Sequence, residues 1–366
     1  MKLAQSSSQR IACLRFPLIM GVVFIHGYAA TVDFADKTRG MAASHWLSDL
    51  IRNILSQHLA RIAVPLFFLL SGYLFFWGMQ WSWRQYGNKL ATRLRSLVLP
   101  FLFWNGLTLA LLAIAQSLPA LNSYFPEKGG AISAYSLYDY LNALFGIERF
   151  PVAYQFWFIR DLMIMVLLVP FLQILLRFFP RFALFILFLL WFYPYWPWTI
   201  PCATACFFFY AGALLAVSQK DLFAIDLFGH WLPFLYLMVL IADLCLMGTV
   251  FHGHLHRIGL LLGLASVLYS TKYIMELPKL KAFLLRAAGW SFWVFAVHEP
   301  LLTLTRKTAY YFLQPRSDVL VLALYFLIPV FVVTVSVAAF IVLKMKVPGF
   351  LRFLTGGRNS SQLRRC

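Results

Sequence analysis

The chain has 366 residues, 62% of them hydrophobic and 12% charged, with a mean hydropathy of +0.77. Soluble domains are about half apolar and about a quarter charged, so soluble, disordered and coiled-coil classes are excluded together. Five cysteines are too few for a disulfide scaffold, and the formal net charge of +18 points to nucleic acid or to membrane orientation, depending on where the charges sit.

A helix needs roughly 20 mostly apolar residues to cross a hydrocarbon core about 30 Å thick. Such stretches fall at 11–30, 59–79, 96–117, 155–175, 182–198, 202–218, 231–250, 255–272, 287–305 and 319–343. They predict an all-α polytopic integral membrane protein of about ten transmembrane helices. Pro194, Pro197 and Pro201 sit among aromatics, which suits a tight interfacial turn between the fifth and sixth spans. Two connecting segments are longer, near 31–58 and 118–154.

With the N-terminus inside, 20 of the 31 Lys and Arg fall on that side but only 3 of the 13 acids, a net of +17. The inner set includes Lys2, Arg10, Arg15, Lys89, Arg93, Arg95 and the tail residues Arg358, Arg364 and Arg365. Positive-inside sorting therefore accounts for the charge without nucleic acid. Both termini are expected in the cytoplasm, with 1–343 as one transmembrane domain and 344–366 as a basic tail. Gly27-Tyr28-Ala29 has the spacing of a signal cleavage site, but cleavage would remove the first span and break the charge match. The segment is read as retained.

Ionisable side chains inside spans are costly and rare, so each is a candidate functional group. Arg15 and His26 are 11 residues apart, within about 20° of three full helical turns, so they share one face about 16 Å apart along the axis. An arginine at the membrane edge suits phosphate. A deeper histidine suits general-base work near neutral pH. Arg61, Arg160, Asp161, Asp243, His298 and Glu299 fall at a depth comparable to His26. They read either as an acceptor site or as scattered structural pairs such as Arg160 with Glu299.

The string Ala60-Arg61-Ile-Ala-Val-Pro65-Leu-Phe67-Phe68-Leu-Leu-Ser71-Gly72-Tyr73-Leu74 adds to Arg15-x10-His26. Lys89, Arg93, Arg95, Pro100 and Trp104 follow, then Phe156-Trp157-Phe158-Ile159-Arg160-Asp161-Leu162 and Phe295-Ala-Val-His298-Glu-Pro-Leu301. In this order the motifs resemble the membrane-bound acyltransferase-3 family over about residues 10–343, in its short, stand-alone form. One departure is that Arg93 and Arg95 are separated by one residue, where the family usually has two between its arginines.

The resemblance implies a bacterial inner-membrane O-acyltransferase. It implies transfer of an acyl group, acetyl being expected, from cytoplasmic acyl-CoA to a sugar of an envelope or secreted polysaccharide. Arg15, Arg93 and Arg95 would meet the CoA phosphates, and no tightly bound cofactor is expected. His26 would act as general base or transient acyl carrier, with Glu299 or Asp161 orienting it. Arg61, Tyr73, Trp157, Arg160 and His298 would line the acceptor side, whose partner is a glycan or lipid-linked glycan beside membrane lipid.

Other signals are read as structural. Ser71 and Gly72 suit close helix packing, and Cys202 and Cys206 suit packing too. His252-x-His254-x-His256 has a strand-like ligand spacing but lies near a turn, so no metal is expected there. Asp221 and Asp226 read as a solvated loop, and the 37 phenylalanines as mostly lipid-facing. The rival reading is a transporter or flippase of a lipid-linked sugar, although no broken helices in paired repeats stand out. A non-catalytic partner of a polymerising complex is the third.

Overall fold

The computed structural model describes residues 3–34, 38–40, 46–118 and 130–357. Lys2 and the tail residues 358–366, including Arg358, Arg364, Arg365 and Cys366, lie outside the described residues. Each of the ten apolar stretches is largely helical, and the described residues include one short antiparallel hairpin, β1 (Thr31–Asp33) with β2 (Thr38–Gly40).

In chain order the helices begin with α1 (Gln5–His26), α2 (Trp46–Arg52), α3 (Ala63–Phe76), α4 (Trp83–Ser117) and α5 (Leu137–Phe145). The middle set is α6 (Trp157–Leu167), α7 (Val169–Phe178), α8 (Pro180–Phe192), α9 (Ala203–Val217) and α10 (Trp231–Cys245). The last are α11 (His252–Glu276), α12 (Pro278–Ala287), α13 (Ser291–Leu313), α14 (Asp318–Lys346) and α15 (Pro348–Leu354). Among the described residues five helices, counting Trp46–Phe76 as one, are long and apolar enough to cross a membrane, and up to eight if each bent pair is one span. The chain is a multi-pass membrane protein. α8 and α10 are apolar but only 13 and 15 residues long, or about 20–23 Å.

Several boundaries differ from expectation for identifiable reasons. Helical structure is already present at Trp46 rather than starting near 59, and runs through a π-helical turn (Asn53–Leu59) and a 3-10 turn (Ala60–Ile62) into α3. Polar residues there read as loop, yet they are partnered inside the fold: buried Arg52 donates to the Tyr28 carbonyl at 2.7 Å. Pro170 sits at the 60° bend between α6 and α7, where a ring without N–H interrupts the ladder. α13 has non-helical torsions at Glu299, which precedes Pro300, as steric restriction before proline requires. α4 has 35 residues, about 52 Å of helix, so its basic first half projects beyond an apolar core about 30 Å thick.

Gly72 and Gly212 draw α3 and α9 together. A Cβ on Gly72 would lie 2.0 Å from the Phe209 carbonyl oxygen, and one on Gly212 2.0 Å from that of Leu69. Many phenylalanines do face outward, but Phe68, Phe75, Phe76, Phe101, Phe156, Phe208 and Phe209 are fully buried. These form the inward minority, and their bulky rings at edge-to-face geometry fill the space between helices. The supposed solvated loop is also anchored. Buried Arg10 forms a bidentate pair with Asp226 at 2.6 and 2.8 Å and donates to Thr271, while Asp221 accepts from the Phe223 amide. At the other terminus, residues 344–346 continue α14. α15 packs on α4, where the Trp104 indole donates to the Leu354 carbonyl at 3.2 Å.

Candidate active site

One cavity of about 1550 Å³ runs along α1. Its α1 lining is Ser8, Ile11, Ala12, Arg15, Ile19, Val22, Ile25 and His26, the i, i+3, i+4 stripe of a single helix face. Arg15 and His26 thus share one space, as their spacing predicts. Arg93 and Arg95 both line it, with Lys89, so the altered spacing keeps both guanidiniums at the wall. Lys89 donates to the Phe75 carbonyl at the end of α3, and Arg15 and Arg93 are close enough for their charges to interact. Gly356 and Gly357 border this end. Gly356 has φ +63°, and a Cβ there would meet the Ser96 carbonyl at 2.3 Å, so only glycine closes the wall without strain.

His26 is half-buried at the opposite end of α1. Tyr154 presents its ring edge-on at 4.8 Å between centroids, and His298 lies at 5.4 Å. Arg306 caps the end of α1, donating to the carbonyls of His26, Ala29 and Thr31. Arg61 lines the same region, held by Gln57 at 2.8 and 3.0 Å. Trp157 and Ser71 also face the cavity, so Ser71 is a wall residue, while Gly72 makes the close helix contact.

The other expected residues stand behind the wall. Glu299 accepts from the Tyr154 hydroxyl at 2.7 Å and from Thr303 at 2.7 Å, so the tyrosine links it to His26. His298 is fully buried, bonded through Nδ1 to the Phe295 carbonyl at 2.7 Å. Asp161 pairs with Arg160 at 3.0 Å and accepts from the Cys202 amide at 2.8 Å, the negative group that a helix N-terminus favours at the start of α9. Arg160 also donates to the Gly146 carbonyl. Arg160 and Asp161 tie α5, α6 and α9 together and do not touch His26. Tyr73 is buried, with its hydroxyl 3.3 Å from the Lys220 carbonyl.

A second ionisable group was missed. His252 and His256 lie four apart on α11 and turn toward Asp243, while His254 packs on Phe192 and Tyr193. His58 completes the group from the π-helical turn. His58, Asp243 and His256 offer ligand atoms within 4.8 Å of one another, a geometry able to hold a metal ion. The available signal was the i, i+4 spacing on a helix; alternate spacing concealed it. Tyr154 was missed as well, although it directly precedes the Phe156-Trp157-Phe158 motif.

No aspartate or glutamate among the described residues lines the cavity, whereas Arg15, Arg61, Lys89, Arg93 and Arg95 do. Such a space favours a polyanion at the end where the cations gather, and it offers an imidazole at the other end.

Comparison with known proteins agrees in kind. The chain is 28% identical over 361 residues to the succinoglycan biosynthesis protein ExoH of Rhizobium meliloti (strain 1021), covering 97% of this chain and 94% of that protein. No solved structure matches. The family model described as acyltransferase domain matches residues 9–343, and the chain belongs to this acyltransferase-3 family.

Proposed function

We propose that the protein is a bacterial inner-membrane O-acyltransferase. It moves an acyl group, acetyl as the expected one, from cytoplasmic acyl-CoA to a sugar hydroxyl of an envelope or secreted polysaccharide. The observation that carries this reading is the single cavity joining Arg15, Lys89, Arg93 and Arg95 to His26. Guanidinium and ammonium groups around one opening suit the phosphates of CoA. The excess of Lys and Arg on the side of the N-terminus supports a cytoplasmic position for that opening. The polysaccharide acceptor is supported by the name of the relative, a succinoglycan biosynthesis protein.

In this reading His26 is the general base. The sugar oxygen attacks the thioester carbonyl, its proton passes to the imidazole, the carbon–sulfur bond breaks and CoA leaves as the thiolate. Tyr154 positions the ring edge-on, and Glu299 fixes Tyr154. The cavity sequesters the thioester from bulk water, which limits hydrolysis.

The test compares acyl ester on surface glycan in cells making wild-type or His26→Ala protein at matched levels. Removing a general base is expected to lower transfer by about 10²–10⁴-fold, with glycan export unchanged. Retained acylation would remove His26 from the mechanism. Loss of the glycan itself would favour the transporter or flippase.

A further inference from the structure

The Asp243 carboxylate is 1% exposed, and three imidazoles surround it. His58 Nε2 lies 3.0 Å from Oδ2, His256 Nδ1 3.3 Å from the same oxygen, and His252 Nδ1 2.8 Å from Oδ1. A buried carboxylate needs full compensation, by hydrogen bonds, a counter-charge or a metal.

The tautomer of His58 narrows the choice. Its Nδ1 lies 3.0 Å from the Asn53 carbonyl oxygen, which only accepts, so Nδ1 carries the proton. In the neutral ring Nε2 is then a lone pair aimed at a carboxylate oxygen, two acceptors face to face. Either a second proton, making an imidazolium paired with Asp243, or a metal cation between them removes the conflict. One carboxylate cannot neutralise three imidazoliums, and two further imidazoles meet this one, which favours the metal. The Nδ1–H to carbonyl bond is also the outer contact that fixes a metal-binding imidazole.

Two of the three spacings fit. Donors around a tetrahedral zinc-class ion, each about 2.0–2.1 Å from it, stand roughly 3.3 Å apart; the two contacts to Oδ2 are 3.0 and 3.3 Å. All three ligand atoms lie within 4.8 Å of one another, so the two imidazoles draw together as the ion enters. Imidazole nitrogens with one carboxylate, and no thiolate, suit a divalent first-row ion. His58, His252 and His256 all line the cavity, so a fourth position opens onto the substrate space, the pattern of a three-ligand site.

We propose that His58, Asp243 and His256 bind one divalent transition-metal ion of the zinc class, with His252 holding the second carboxylate oxygen and the open position facing the cavity. The ion joins the turn that carries Gln57, the partner of Arg61, to the α10–α11 hairpin. Water or a substrate oxygen takes the open position.

The test uses purified full-length protein stripped with chelator, then dialysed against zinc or cobalt(II). Wild-type protein is expected to take up about one ion per chain and to show the intense visible bands of tetrahedral cobalt. His58→Gln and His256→Gln are expected to abolish those bands. His252→Gln weakens uptake about 10–100-fold, the effect of losing an outer-shell partner. His254→Gln, outside the cluster, keeps full uptake. Each variant is checked for a monodisperse elution profile, and Asp243→Asn is compared only if it passes. No uptake by wild-type protein, or equal uptake by monodisperse His58→Gln and His256→Gln, would overturn the site. The readout is metal content and colour, so it stands apart from acyl transfer.

Discussion

The two ends of the cavity solve different chemical problems with different side chains. Around Arg15, Lys89, Arg93 and Arg95 like charges crowd the wall, and the natural complement is a polyanion. Around His26 the neighbours are aromatic and imidazole rings, with the carboxylate of Glu299 one residue removed. In the proposed reading the first end holds the charge of the donor and the second moves a proton. Keeping carboxylates off the wall serves both, since an acid at the cationic end would compete with the donor phosphates.

Variants at either end sharpen this contrast. The largest kinetic effect among them is expected from the double variant Arg15→Ala with Arg93→Ala. Each hydrogen bond to a charged group contributes about 1.5–3 kcal/mol, so the KM for acyl-CoA should rise by at least about a hundredfold while kcat holds. A fall in kcat at unchanged KM would merge the two ends into one function. Glu299→Gln should do the reverse, lowering kcat about tenfold through a weakened hold on Tyr154 and leaving donor KM in place. Steady-state kinetics against donor concentration separates the two.

Asp161→Asn lies outside this division. Removing one partner of a buried pair leaves Arg160 uncompensated, so stability should fall by about 3–5 kcal/mol, read as a lower Tm. Turnover per folded molecule should be unchanged. A lost kcat at full stability would return Asp161 to the reacting atoms. The smallest effect is expected from Tyr73→Phe, which removes one long hydrogen bond and costs about 0.5–1.5 kcal/mol with normal kinetics.

Much of this was legible in the sequence. The apolar stretches, the shared face of Arg15 and His26, and the basic cluster near residue 90 follow from helical period and hydropathy alone. Depth along the membrane was a weaker guide, because it does not say which way a side chain turns. Arg160, Asp161 and Glu299 were grouped by depth, yet Arg160 and Asp161 pair with each other and Asp161 caps α9, while Glu299 turns to Tyr154. The cluster around Asp243 was hidden for a related reason. His58 sits in a segment that polar composition made look like a loop, and its partners are 185 residues or more away in sequence.

The central claim is that donor and acceptor enter one cavity from opposite faces and meet at His26. Reconstituting the protein in sealed vesicles, with acyl-CoA supplied only on the face that carries the N-terminus and glycan only on the other, tests it directly. The account predicts acylated glycan outside for wild-type protein and none for His26→Ala at equal incorporation. Acylation that requires donor and acceptor on the same face, or that survives in His26→Ala, would contradict it.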